Sequence, residues 1–502
     1  QDVSLATQGG DVHLGGTLEG GHALAIAANG GDVSFDGAIG AAEAIGNLTI
    51  DTTGATTFSA AVQAAMLSKT GSGSVAIDGG SILTTAGQWY AGHATLGQDT
   101  VLTGSGVSLT AGADGGHALT INGNTMLGGA FGATTALASL TINGDATLNQ
   151  GSIATTGDQS YNGTVTLAGA QQLATQGGHI VFADTLGGSH DLGIATQDGD
   201  VEFTAAVGAQ GSALGNLTVD TSGTTRVGGA VYAASVATLG NGATLIDGGM
   251  VHTTGTQQYD GQVLLGADTT LTGTQVALLN GGDGTHALVI DGDAVLAGAF
   301  GATAPLSSLT VSGATTFNGG SLATTGDQSY LGAVTLTAAQ ALASANGDIG
   351  FEGPVDGTAD FSVQAGGDIA FADAQCLLAA HGLRLHHVAA GEPIPGSYWG
   401  EPEAGIIASN VYVRDDTPVH SMLHEACHLI VLPPERRAQV HTDATDSVAE
   451  EDATCYLQIV LAGRLPGVGS ARLMADMDAW GYTYRLGSTQ AWFEQDAEDA
   501  KA

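Results

Sequence analysis

Two blocks of this 502-residue chain repeat each other at one fixed offset. His117-Ala118-Leu119-Thr120-Ile121 returns as His286-Ala287-Leu288-Val289-Ile290, and Gly46-Asn47-Leu48-Thr49 returns as Gly215-Asn216-Leu217-Thr218. Inside the copies a Thr-Thr-x-x-Gln-x-Tyr signature starts at Thr84, Thr155, Thr253 and Thr324, so that two equal intervals flank a longer one. These spacings predict a stacked solenoid with turns of about 24 residues, three, four and three turns between successive signatures. Each unit reads as short strands of alternating Val, Ile, Leu and Thr closed by Gly-Gly, Asn-Gly and Asp-Gly turns, as in Ser139–Gly144 and Ser308–Gly313. No proline precedes Pro305. Inward aliphatic residues stacking from turn to turn, with Gly and Asn at tight corners, are what a right-handed parallel β-helix requires. Disorder is disfavoured, because Gly-rich disordered chains lack this alternation.

The charge is just as uneven. Residues 1–375 hold two basic residues, Lys69 and Arg226, against 31 acids, a net of −29. Residues 376–502 hold eight against 18, a net of −10, and the two sum to the −39 of the chain. A surface this acidic argues against nucleic acid and anionic lipid as partners, since both need clustered Lys and Arg. No apolar run is long enough to span a membrane, and Gln1 opens no signal peptide, so the chain reads as a mature or excised segment. Its three cysteines (Cys376, Cys427, Cys455) form no disulfide framework.

The Gly-Asn-Leu-Thr, Thr-Thr-Gly-Asp-Gln-Ser-Tyr and Gly-Gly-Asp runs of residues 1–370 resemble the filamentous-haemagglutinin-like passengers of bacterial two-partner secretion. The resemblance implies a shaft that is secreted or held at the bacterial cell surface, able to meet cell-surface receptors.

After Asp368 the texture changes. Asp373 to Ala380 reads as a helix capped by Asp373, and Leu383 to Val388 as a strand. A Pro/Gly-rich loop with Tyr398 and Trp399 follows, then a strand from Gly405 to Arg414 that borders the cleft as an edge strand. Next comes His424-Glu425-Ala426-Cys427-His428, an H-E-x-x-H motif. Thr417 serves as N-cap and Pro418 as first helical residue, and Val419, Met422, Leu423, Ala426, Cys427 and Ile430 form one apolar stripe. Residues four apart share a helix face, so His424 and His428 can offer two imidazoles to one metal, and Glu425 can act as general base. A third histidine six residues after His428 would mark a metzincin, but that position is Pro434. A second helix opens at Asp446 and stops at Gly463. It offers Glu450 as third ligand, with Glu451 as its alternative, and small Ala453 for close packing; His441 and Asp443, ahead of this helix, are the next candidates for that ligand. Glu450 can instead close a capping box with Ser447. His441 is a candidate for steadying an oxyanion, and a turn of Tyr482, Tyr484 and Arg485 can line the cleft or simply pack. His386 and His387 read as strand residues, Cys427 and Cys455 as core. Ser470 to Trp480 forms a further helix, and Ser488 caps a last one with an acidic end from Glu494 to Asp499.

Strand, H-E-x-x-H and the downstream E-x-x-A-x-x-Y resemble the gluzincins, more narrowly the ImmA/IrrE-type metallopeptidases, over residues 380–465. The resemblance implies Zn2+ held by His424, His428 and Glu450, Glu425 as catalytic base, and a peptide or protein substrate. The expectation is therefore a mostly β chain: a solenoid shaft over 1–372, with two super-repeats and a partial third, then a small α+β zincin-like domain over 373–502. Two rival functions stand beside the peptidase: a non-enzymatic adhesin or structural fibre, and a delivered toxin with the last domain as warhead.

Overall fold

The computed structural model describes the chain except residues 366–370, 390, 398–401, 415, 446, 466–467, 483–485, 496 and 498–502. Tyr398, Trp399, Tyr484, Arg485, Asp446 and the end of the acidic tail therefore lie outside the described residues. Two compact units divide the chain: residues 1–341 with 350–362, and residues 342–349 with 363–502.

The chain is mostly β, with a parallel β-solenoid of about 18 turns over residues 3–364. Alternation explains each strand. In Val75–Ile77, Val165–Leu167 and Val201–Phe203 the outer two residues are buried and the middle one faces out. Buried side chains stack on their equivalents one turn away: Phe35 on Phe58, and Tyr161 on Phe182 on Phe203, with ring centroids 5.0–5.3 Å apart. Each buried ring is worth roughly 1.5–3 kcal/mol, so a column of them contributes heavily. Corners need glycine for a different reason. A Cβ on Gly73 would sit 1.7 Å from Gly54 O, and one on Gly92 1.7 Å from Gly73 O, because successive turns touch there through backbone.

Most turns are shorter than the spacing predicts. Their lengths vary, from one as short as Val107 to Thr125 to one as long as Leu192 to Leu217, each pair being in register. Three strands make a turn, as Ser81–Thr84, Gly87–Tyr90 and Ala94–Leu96 do. The signature spacing is consequently not a whole number of turns. Gln88 lies in the column of Leu67 and Val107, whereas Gln159 lies in that of Thr100, Leu119 and Leu140, on another side of the solenoid. The two sequence copies are rotated as well. The Gln88 column runs on through Thr125, Ala146, Val165, Leu186, Val207 and Val231 to Val251, and misses Gln257.

Four buried Gln–Tyr pairs carry the signature. Gln88 Nε2 donates to Ile82 O (3.0 Å) in its own turn and to Thr103 O (2.9 Å) in the next, while Tyr90 OH donates to Gln88 Oε1 (2.8 Å). Gln159–Tyr161 and Gln257–Tyr259 repeat this bonding, and Tyr330 donates to Gln328. Lys69 is fully buried, its ammonium donating to the carbonyls of Thr52, Gly71 and Gly73 at 2.7–3.0 Å.

One surface feature of the solenoid stands out. A groove of about 440 Å³ is lined by Met66, Trp89, Met126 and Asn124 over the backbone of Gly87 and Gly106. At the same positions in the second copy stand Ser235, Gln258, Val295, Asp293, Thr256 and Gln275, so the glycine floor is filled and the aromatic wall lost.

The second unit has six helices and a three-stranded sheet among its described residues. Helix α1 (Phe371–Ala380) precedes strand Arg384–His387, then strands Gly405–Ile407 and Asn410–Val413. The expected single strand from 405 to 414 is two antiparallel strands, split where Ala408 takes a left-handed φ of 54°. Asn410–Val413 is not an edge strand. It lies in the middle, parallel to Arg384–His387, and Gly405–Ile407 is itself bridged to Ser397 and His441. An extended substrate therefore has no free described edge at Asn410–Val413 to pair with. Helix α2 (Val419–Val431) starts one residue later than expected, with Pro418 at the N-cap and no side-chain cap. Thr417 Oγ1 accepts instead from Arg414 N. The short α3 (Pro434–Arg437), α4 (Val448–Ala462), α5 (Gly469–Ala479) and α6 (Thr489–Gln495) follow. Leu423, Ala426, Cys427 and Leu429 of α2 share one core with Ile459 and Leu461 of α4, Leu473 and Met477 of α5, and Trp492 of α6.

Candidate metal centre

The heart of the second unit is the α2–α4 contact, and its chemistry follows from helix periodicity. His424 and His428 project from one face of α2, and their Nε2 atoms approach to 3.1 Å with the rings 84° apart. From α4, Glu451 reaches both: Oε1 lies 3.3 Å from His424 Nε2 and Oε2 3.5 Å from His428 Nε2. Thr454, fully buried one turn on, places Oγ1 3.3 Å from His428 Nδ1. Thr454 rather than Ala453 is the residue α4 turns inward. Cys455 is buried beside the group, its Sγ 4.0 Å from Glu451 Oε1.

Glu450, the expected third ligand, points elsewhere. Arg436 of α3 donates to both its oxygens (2.5 and 3.2 Å), Thr445 Oγ1 donates as well, and these bonds hold its carboxyl below the usual carboxylate range. Its backbone N donates to the Ser447 hydroxyl at 3.5 Å, so Ser447 caps α4 as expected. The pair Arg436–Glu450 leaves Glu451 as the carboxylate of the cluster.

Burial sets the protonation of the group. It lowers the imidazole pKa of His424 to about 3, helped by His428 and His420, and lowers that of His428 as well. It raises Glu451, aided by Asp452 and Asp443. Two imidazoles whose charged form burial disfavours and the carboxyl group of Glu451 thus converge with no described cation between them. That donor set fits a metal: a tetrahedral ion at ~2.0–2.1 Å from each nitrogen holds two nitrogens roughly 3.3 Å apart, close to the spacing here. His424, Glu451 and Cys455 also group within 4.8 Å as possible ligands.

Beside His424 opens a cleft of about 390 Å³, lined by Glu403, His420, Ser421, Glu425, Trp480, Gly481 and Tyr482. Glu425 is half-buried, its carboxyl pushed up to about 8 by desolvation and then by Glu403, Glu451 and Asp443. The Tyr482 ring stands 5.8 Å from that of His424, and burial raises its hydroxyl pKa. His441 lies apart. It is exposed, bridged to Ile407, with Nδ1 on Thr442 Oγ1 at 2.8 Å, and it does not line the cleft. His386 stacks on Tyr412 as a strand residue, and Cys427 is core, its thiol pushed up by burial.

Thr454 was legible from its place three residues after Glu451, on the inner face of α4, whereas Glu403 has no sequence signal because it sits in a loop whose path no periodicity gives. No described helix is long and apolar enough to cross a membrane. Comparison with protein-family models, with curated proteins and with solved structures finds no match.

Proposed function

We propose that the chain is a zinc-dependent peptidase of the gluzincin kind, carried on a β-helical shaft and secreted or displayed at a bacterial surface. The observation that supports this best is the convergence of His424 Nε2, His428 Nε2 and both Glu451 oxygens within 3.5 Å. Zn2+ held by these three residues would supply Lewis acidity toward a peptide carbonyl and an attacking water. Glu425, next to the first ligand and facing the cleft, takes the proton from that water and passes it to the leaving amine. Tyr482 lines the same cleft and donates a hydrogen bond from its hydroxyl to the developing oxyanion, the role the sequence suggests for His441. Thr454 fixes the ring of His428 through Nδ1, as outer partners of metal-bound histidines do.

The test is metal content and cleavage measured on the same proteins. Wild type and Glu425→Gln are each expected to hold one zinc per chain, with cleavage of a protein substrate at least ~100-fold slower in the variant. Glu451→Ala is expected to lose the zinc and Glu450→Ala to keep it. A wild-type chain that binds no zinc when supplied with it would sink the reading.

A second reading, adhesion through the shaft, is favoured by the Trp89 groove, which the second copy lacks. Trp89→Thr should then abolish attachment of the chain to cells. Unchanged attachment removes the groove from consideration.

A further inference from the structure

The cleft beside His424 has a charge pattern that the hydrolytic chemistry does not use. Among the described residues its lining includes two carboxylates, Glu403 and Glu425, and no Lys or Arg. Glu425 is occupied with proton transfer in the reading above. Glu403 has no such task, and among the described residues it makes no hydrogen bond or ion pair. It is nevertheless held in place, because Ala404 N donates to Ser421 Oγ (3.0 Å), tying the Glu403 loop to the first turn of α2. Ser421 precedes His424 by three residues, so that bond sets Glu403 against the metal helix itself.

A second group in the same cleft looks for a donor. His420 is 3% exposed, and its Nε2 is buried without a hydrogen-bond partner among the described residues. As the tautomer with its proton on Nδ1, it presents an unmet acceptor. Two aromatic rings line the same cleft: Trp480 packs its ring 4.5 Å from that of His420, and Tyr482 stands beside His424. A carboxylate, a free imidazole acceptor and an aromatic wall are complementary to a long cationic side chain. Its stem lies on the rings, its charge meets the carboxylate and its N–H groups fill the acceptors.

We propose that Glu403 is a specificity-determining residue, selecting substrates with a cationic group next to the scissile bond, namely an arginine or lysine side chain or a free α-amine. The proposal rests on the peptidase reading for its reaction, but the binding preference is measurable without turnover. The full zinc-supplied chain is titrated calorimetrically with Nα-acetyl-argininamide, Nα-acetyl-lysinamide, glutamine α-amide with its amine free, and Nα-acetyl-glutaminamide. The same proteins then digest a mixture of amino-terminally blocked and unblocked peptides, with the cut sites mapped by mass spectrometry.

Wild type is expected to bind at least one cationic ligand ~10-fold or more tightly than neutral Nα-acetyl-glutaminamide. Glu403→Gln should erase that difference while keeping its zinc, and Glu403→Arg should reverse the preference toward acidic residues. Preference for the free-amine ligand alone assigns the cation to the substrate's amino terminus; preference for the blocked arginine or lysine ligand assigns it to a side chain. Equal binding of all four ligands by wild type, or a preference that survives Glu403→Gln, overturns the proposal. Cleavage without regard to charge overturns it while leaving the peptidase reading standing. Glu403-dependent binding of cations without any cleavage does the reverse.

Discussion

Glu425 carries an electrostatic cost in the second unit when no cation is near. Its carboxyl titrates at about 8 in the fold, against an ordinary value of 4.5. Because the folded value is raised, its contribution to stability is complete below the ordinary value and is lost as pH rises through about 8. The metal-stripped chain is therefore expected to lose more stability between about pH 5 and about pH 9 than its Glu425→Gln variant, measured by urea unfolding at each pH. Parallel profiles for the two would show that Glu425 is not strained. A dication at the cluster relieves the same strain by supplying the missing positive charge. The two histidines were legible because i, i+4 spacing decides their face without reference to anything else. The choice between Glu450 and Glu451 was not. Both sit in the first turn of α4, about 100° apart around the axis, and either can face α2. What separates them is Arg436, on the short helix α3 that no periodicity announces.

At the scale of elements, alternation and glycine made the solenoid readable, while the turn length was misjudged. Three-sided turns make every corner locally equivalent, so the signature at Gln88 and Gln159 recurs on different sides and its spacing counts thirds of a turn. Turn length also changes along the stack, short from Val107 to Thr125 and long from Leu192 to Leu217, which hides the period further. The stacked corners invite a direct test. Gly73→Ala forces a Cβ against Gly54 O and should cost ~1–3 kcal/mol or more, as overpacking does. Gly16→Ala meets nothing within 4 Å and should stay near neutral in the same denaturant titration. Equal effects at the two sites would mean that the turns do not touch at that corner. In the second unit the helices other than α3 were placed within a few residues, because amphipathic spacing and Gly463 mark them. The split of the 405–414 strand is not legible in the sequence, since a left-handed alanine at 408 leaves no trace in composition.

At the scale of the molecule, two units with separate cores are expected to melt separately. Zinc at 100 times its dissociation constant should add about 2.7 kcal/mol to the second unit and nothing to the solenoid, so a chelator should move one calorimetric transition only. Movement of both would mean that the metal is not confined to the α2–α4 cluster. The solenoid faces a hazard of another kind. In a pile of nearly interchangeable layers, a segment can dock one layer out of place and still hide its aliphatic side chains. The glutamine–tyrosine pairs penalise that slip: a displaced Gln88 or Gln159 would lose the carbonyls that meet its amide, at ~1–3 kcal/mol for each buried group left unsatisfied. Because neighbouring marks fall on different sides of the stack, sliding by whole layers never lays one upon the next. The polar interior acts as an address, telling otherwise anonymous layers where in the pile they belong.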